Sequence, residues 1–503
     1  MLHWMTTCAG TTSEARSSSA RSAATQLDSR RNHSLNRRKF LLQFSNACLA
    51  GIGLSQDPCA ARPVAGEPRT RITTEPSAPW AIRDAACFDV HTKVFVPHRT
   101  IWIEGERIAA VEETGRAGAR RGKRVLEAKG KFLIPGLIDA HAHLTTVLYQ
   151  AAMTGDEILP FFLANGVTTL RNTGDNVPAQ KVIQRYSENH PDICPRIFLG
   201  SFLIGSAPPI HQDIGWTLSK PEDVPAFVAH MASWGVTTLK IYANCLPAVG
   251  RKVIEEGHRH GMGVTGHLSS YPASQAIDDG IDCLEHIQSV SDFLRSDPRN
   301  RHSLDVTTDA AQRLVEKIAR HKVFVDPTLM VFWGTLFFAD DPQVINHPDN
   351  AGMPKRLLDF WAKDRVLRLS NYSSGPLSAR QSTFRRYQEL VGMLHRAGVR
   401  ILVGTDAPQP QVPPGLSLHH EMKLLVDSGM PPGEVLAAAT WNNAKALRQE
   451  ENLGSIAPGK LADLVLLEAN PLENIENSRT VHRVVRGGRL LTPSQILKAT
   501  SGV

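Results

Sequence analysis

Beginning near Ala86, apolar residues recur at alternate positions in short runs separated by turns. Ala86–Val90, Lys93–Val96, Thr100–Ile103 and Arg107–Val111 read as strands, the last opening after the Glu104-Gly105-Glu106 turn, and Phe132–Ile134 reads as another. A second strand-rich stretch returns near the other end, with Leu464–Leu467 and Val481–Val485. Two strand clusters flanking a long middle predict one small β-sandwich assembled from residues 86–132 and 455–495.

Between them, over residues 133–450, strand-like and helix-like runs alternate. Strands are expected at Gly136–His143, Val167–Asn172, Arg196–Ile204, Thr237–Tyr242, Gly263–His267, Cys283–Ile287, Val323–Thr328 and Ile401–Thr405. Helices are expected between them, for example at Glu222–Trp234, Ala248–His260 and Thr308–His321. This alternation predicts an α/β fold: a (β/α)8 barrel carrying the sandwich built from both chain ends. The longest insertion, Met330–Tyr387, bears prolines and aromatics and follows strand seven. It is expected to be helical and to lie over the catalytic face as a lid.

Charge sharpens this picture by where it sits. The formal net charge is +7, but residues 1–71 hold ten Arg/Lys against four Asp/Glu, leaving 46 against 45 in the remainder. A folded part so nearly balanced lacks the basic surface that nucleic acid requires. The N-terminal stretch is Ser/Ala/Thr/Arg-rich and without periodicity, the composition of a disordered leader. Within it, Arg37-Arg38 precede Lys39-Phe40-Leu41 and a short apolar run ending at Leu54. That pattern is similar to a bacterial twin-arginine signal, so residues 1–65 are expected to direct a folded protein to the periplasm or beyond. The apolar run falls short of the ~20 residues that span a bilayer, so no stable membrane span is expected. The seven cysteines form no C-x-x-C pair, and Cys87, Cys194, Cys245 and Cys283 read as free buried thiols rather than a zinc ribbon or redox site.

The candidate chemistry begins at Asp139-Ala140-His141-Ala142-His143, on the first barrel strand. Residues two apart on a strand point to the same side, so His141 and His143 can converge on one ion, and neutral imidazole is a good ligand for zinc. The same spacing at His258 and His260 falls in a predicted helix, where the two side chains diverge toward the surface. Other ligand types recur at later strand ends: Lys240 on strand four, His267 on strand five, His286 on strand six and Asp406 after strand eight. A site at the C-terminal face of a barrel collects its side chains in this way. No G-x-S-x-G elbow appears, which disfavours a serine hydrolase.

With these residues, and with Gly166-Val167-Thr168-Thr169-Leu170-Arg171, Gly404-Thr405-Asp406-Ala407 and Gly459-Lys460-Leu461-Ala462-Asp463-Leu464-Val465, the chain resembles the imidazolonepropionase-related branch of the amidohydrolase superfamily. It most resembles the prolidase-like and N-acyl-amino-acid-cleaving members, from about Ala86 to Leu491. The resemblance implies a metal-dependent hydrolase of amide bonds in a small-molecule substrate, assembled as a homo-oligomer. It assigns His141, His143 and Asp406 to one divalent ion, expected to be zinc, and His267 and His286 to a second, with carbamylated Lys240 bridging them. Asp406 would double as the catalytic proton shuttle. Lys240 favours two metals over the mononuclear deaminases and cyclic-amide hydrolases, which usually lack it. Tyr242, on the same strand face as Lys240, His211 in the loop after strand three and Arg171 at the end of strand two are the candidate substrate-binding residues, with a structural salt bridge as the equal alternative for Arg171. Where relatives often carry a Gly-Gly-His-Gly-Asp run, this chain reads Pro208-Pro209-Ile210-His211-Gln212-Asp213.

Overall fold

A computed structural model describes residues 78–115, 124–337, 341–371 and 375–498. Residues 1–65, with the Arg37-Arg38 signal, lie outside the described residues. Five strands open the described chain: β1 (Trp80–Asp89), β2 (Val94–Glu104), β3 (Arg107–Glu113), β4 (Arg124–Glu127) and β5 (Phe132–Pro135). The barrel strands follow: β6 (Leu137–Ala142), β7 (Val167–Asn172), β8 (Arg196–Phe198), β9 (Gly200–Gly205) with its edge partner β10 (Gly215–Thr217), β11 (Thr238–Ile241), β12 (Gly263–Gly266), β13 (Cys283–Glu285), β14 (Phe324–Asp326) and β15 (Arg400–Ile401). The last three strands are β16 (Leu464–Leu467), β17 (Val481–Arg486) and β18 (Arg489–Leu491).

Strands from both ends form one sheet in the order β18-β17-β16-β5-β1-β2-β3, with β4 beside β1. The run Leu464-Val465-Leu466-Leu467 shows why β16 sits at its centre. Leu464 and Leu466 pack with Trp80, Ile82, Ile101 and Val485, whereas Val465 and Leu467 join the large core of the barrel. A strand buried on both faces has no polar side to show, which explains its unbroken hydrophobicity.

Two parallel sheets make the barrel, β6-β7-β8 and β9-β11-β12-β13-β14-β15. They join at two seams. On one side β8 passes into β9 through Leu199 alone, so the expected strand Arg196–Ile204 is a single bent one. Gly200 permits the bend, because a Cβ there would lie 2.1 Å from the Asn172 carbonyl. On the other side the chain beyond β15 is shared: Leu402 N–H donates to Val325, while Ala140 and His143 N–H groups donate to Val403 and Ala407. Ala140, Cys283, Phe324 and Leu402 plug the interior with an apolar layer. Two residues further along β13 and β14 stand Glu285 and Asp326, both buried, so the interior turns polar toward the C-terminal strand ends.

The insertion after strand seven is helical, with segments Leu329–Phe337, Pro342–Ile345, Lys355–Asn371 and Leu377–Arg396. Buried Glu421 anchors its start, accepting the Leu329 and Met330 N–H groups at 2.9 and 2.6 Å. No helix among the described residues is long and apolar enough to cross a membrane.

Candidate metal centre

All six ligand candidates meet at the C-terminal strand ends. His141 lies on β6 and His143 directly after it, Lys240 on β11, His267 after β12, His286 after β13 and Asp406 in the shared segment beyond β15. The His141 ring stands 5.3 Å from that of His143 and 4.6 Å from that of His286, and the His267 ring is 4.5 Å from His286. Asp406 Oδ1 lies 2.9 Å from His143 Nε2 and 3.7 Å from His141 Nε2. One ligand atom each from His141, His286 and Asp406 fall within 4.8 Å of one another, close enough to share an ion.

Hydrogen bonds on the far side of each ring set which nitrogen faces the centre. His143 Nδ1–H donates to the Gly174 carbonyl at 2.8 Å, and His141 Nδ1–H to Glu285 Oε2 at 2.8 Å. His286 Nδ1 pairs with Thr328 Oγ1 at 2.7 Å. The carbonyl and carboxylate partners place the proton of His143 and His141 on Nδ1 and turn Nε2 toward the centre, the usual arrangement of a metal-binding histidine. The backbone is bent to the same end. His286, Thr328 and Asp406 all lie in the left-handed region, at φ 62°, 45° and 67°. For residues with a Cβ this conformation costs about 1–3 kcal/mol each, a strain typical of functional sites. Gly404 is needed for close approach: a Cβ there would lie 2.2 Å from Asp326 Oδ2 and 2.6 Å from His141 Cβ.

Among the ligand candidates, the buried atoms His141 Nε2 and Lys240 Nζ have no hydrogen-bond partner. Leaving such atoms unmatched costs about 1–3 kcal/mol apiece, so the donor set fits a group bound between them. Burial drives the Lys240 amine down toward its neutral form, against the charges of Glu285 and Asp406. Burial also lowers His141 to about 4, with Lys240 adding to the effect, which keeps it an unprotonated ligand. At Asp406 burial opposes ionisation, but the hydrogen bond and charge of His143 outweigh it and hold the carboxyl below its ordinary value.

The three substrate-binding candidates separate. Tyr242 borders the centre, its ring 5.2 Å from that of His267, and its hydroxyl pairs with His211 Nε2 at 2.9 Å. Both therefore stand at the mouth. Arg171 does not. Its side chain is 2% exposed, Nη2 donates to Glu285 Oε1 at 2.6 Å, and Nε donates to the Ala140 carbonyl. The guanidinium is committed to a protein carboxylate beneath the centre, which corrects the expectation that it reads a substrate's. His419 is likewise structural, bonded to Ser478 Oγ and the Asn165 carbonyl. His258 and His260 are exposed, as their helical spacing requires.

Glu285, Asp326, Asp139 and Thr405 were not singled out from the pattern. Asp139 accepts from the His141 and Thr405 N–H groups, both at 3.1 Å, and from Thr405 Oγ1 at 2.7 Å, which fixes strand one to the Asp406 segment. Their signal was adjacency: Glu285 precedes His286, Thr405 precedes Asp406, and Asp139 shares the alternation of His141 and His143.

A family model described as the amidohydrolase family matches residues 132–491. An imidazolonepropionase from Shouchella clausii (strain KSM-K16) is 24% identical over 453 residues, covering 79% of this chain and 86% of the relative. Among solved structures, bottromycin amidohydrolase superposes with a TM-score of 0.65 at 20% identity, over 84% of this chain and 90% of its own. A Xaa-Pro dipeptidase with bound methionine in its active site gives 0.62 at 20% identity, over 82% of this chain and 100% of its own. The matched span takes in every barrel strand and the returning strands β16–β18, and so the chain belongs to the amidohydrolase family, in its imidazolonepropionase-related branch, as an enzyme acting on carbon–nitrogen bonds of a small molecule.

Proposed function

We propose that the chain hydrolyses a peptide-like or N-acyl-amino-acid amide at a binuclear metal centre. The observation that carries this reading is the pair of orphaned buried atoms, Lys240 Nζ and His141 Nε2, inside a cluster of three further histidines and one carboxylate. His141, His143 and Asp406 would hold one divalent ion, zinc being the expected metal, and His267 and His286 the other. The buried Lys240 amine would take up carbon dioxide with loss of a proton to solvent, giving a carbamate that would serve both sets as an anionic ligand. When bound, the ions would supply Lewis acidity and make water acidic enough to ionise near neutral pH.

The protein's own part is proton handling and alignment. Asp406 accepts the proton of the water that adds to the substrate carbonyl, then returns it to the leaving nitrogen as the C–N bond breaks. Tyr242 donates its hydroxyl to the substrate carbonyl or carboxylate from the mouth, with His211 Nε2 holding that hydroxyl in place. A cyclic amide is the second reading, favoured by the likeness to an imidazolonepropionase over most of the chain.

Reconstitution with metal and bicarbonate, followed by elemental analysis and a screen of dipeptides, N-acyl amino acids, lactones and cyclic amides, tests the proposal. About two ions per chain with turnover of a linear amide is the expected result. One ion, with turnover confined to cyclic substrates, would replace the first reading by the second. Export is also proposed from Arg37-Arg38: lysine at both positions should leave the precursor in the cytoplasm, and undisturbed delivery would contradict it.

A further inference from the structure

Beneath the centre, Glu285 is 0% exposed and uses both oxygens. Oε1 accepts from Arg171 Nη2 at 2.6 Å and from the Thr265 hydroxyl, while Oε2 accepts from His141 Nδ1 at 2.8 Å. We infer that Glu285 is the positioning residue that fixes the tautomer and orientation of His141, and through it the affinity of the His141–His143–Asp406 set for its ion. The inference rests on the proposed reading of His141 as a ligand.

Arg171, the Thr265 hydroxyl and His141 present hydrogens to the Glu285 carboxylate, which can only accept, and the Asp326 carboxyl lies beside it. The proton therefore stays on His141 Nδ1, and Nε2 points its lone pair at Asp406 and His286. Arg171 holds the carboxylate from below, and its Nε contact to the Ala140 carbonyl ties that support to the residue preceding His141. An amide of equal size cannot repeat this. Glutamine has one accepting oxygen and one donating nitrogen, and the two faces of residue 285 both present donors. With the oxygen toward Arg171, the –NH₂ meets His141 Nδ1 and favours the other tautomer, which puts the proton on the ligand atom. With the oxygen toward His141, the –NH₂ opposes the guanidinium.

The test is chelator competition for bound zinc on purified wild type, Glu285→Gln and Thr265→Val, with thermal unfolding of each metal-free protein. Glu285→Gln is expected to weaken one zinc about 10–100-fold, the usual effect of removing a partner that orients a ligand. Thr265→Val removes one donor without altering the charge and should weaken the same zinc by less. A folded Glu285→Gln protein with wild-type zinc affinity, changed only in thermal stability, overturns the inference and leaves Glu285 a structural ion-pair partner. If Glu285→Gln does not fold, unchanged affinity in Thr265→Val overturns it equally. Wild type that binds no zinc refutes the metal reading instead.

Discussion

Among the described residues, three groups place histidine and carboxylate ligand atoms within 4.8 Å of one another; one of them, His141, Glu285 and Asp326, lies beneath the centre, and the other two behave differently from each other. The first is His141, His286 and Asp406. The second, His347, Asp349 and His420, lies between the insertion and the helix Leu416–Asp427. In the second, the carboxylate and one imidazole are engaged by protein groups, and of its buried polar atoms only His420 Nδ1 lacks a hydrogen-bond partner. Arg479 clamps Asp349 with two contacts of 2.9 and 3.0 Å, and His347 Nδ1 accepts the Asp349 N–H at 3.3 Å as a helix cap. The His347 and His420 rings stack 5.3 Å apart, with Trp333 edge-on to both. This cluster ties the insertion to the scaffold. In the first, His141 Nε2 and Lys240 Nζ stand without a partner, and the Asp406 carboxylate faces two imidazoles. Nearness of ligand types is thus a poor guide to a site; whether an arginine already clamps the carboxylate is a better one.

The largest expected effect is at Asp406. Asp406→Asn keeps size and one ligand oxygen but removes the proton acceptor, so turnover should fall about 10²–10⁴-fold while metal is lost only in part. Kinetics and elemental analysis on one preparation check this; turnover falling only in proportion to metal would leave Asp406 a ligand alone. Lys240→Ala should follow, with the centre retaining less than two ions and activity unresponsive to bicarbonate. If the variant still bound a full complement of metal, the bridging role would fail.

Gly404→Ala tests the packing that makes the first cluster possible. A methyl in a space already filled by Asp326 and His141 should cost about 1–3 kcal/mol of stability, seen as a lowered unfolding midpoint, and should loosen metal as well. A neutral result would mean that the two side chains can yield. Tyr242→Phe should give the smallest change, a loss of about 2–10-fold in kcat/KM from one missing hydrogen bond, with metal content unaltered. A Tyr242→Phe enzyme that loses metal would place the hydroxyl among the ligand supports rather than at the substrate.

The barrel was legible because its strands are buried apolar runs separated by turns; seven lie where the pattern put them, and the eighth, β15, is confined to Arg400–Ile401 at the start of the expected Ile401–Thr405. The candidate ligands were legible because they follow those runs at constant phase. The flanking sheet was harder. β1 starts at Trp80, before the expected Ala86, because Asp84 at φ 64° forms a bulge that breaks the alternation. β2 reads as two runs for the matching reason: His98, at φ 55°, interrupts it and pairs with Asp84 at 2.8 Å. β4, Arg-Val-Leu-Glu, is mostly exposed, and its two adjacent apolar residues give no alternation to read. At the site, the sequence left Arg171 between a substrate contact and a salt bridge because its partner Glu285 is 114 residues away, a pairing that only the fold creates. Sequence shows which groups can bind a ligand; it does not show which are already bound to one another.

Metal content measured side by side in wild type, His286→Ala and His420→Ala tests the central claim most directly. The account predicts about two ions in wild type, a clear loss in His286→Ala and an unchanged value in His420→Ala. Metal lost from His420→Ala but kept by His286→Ala would contradict it, because the cluster whose carboxylate is already clamped by Arg479 would then be the one that binds.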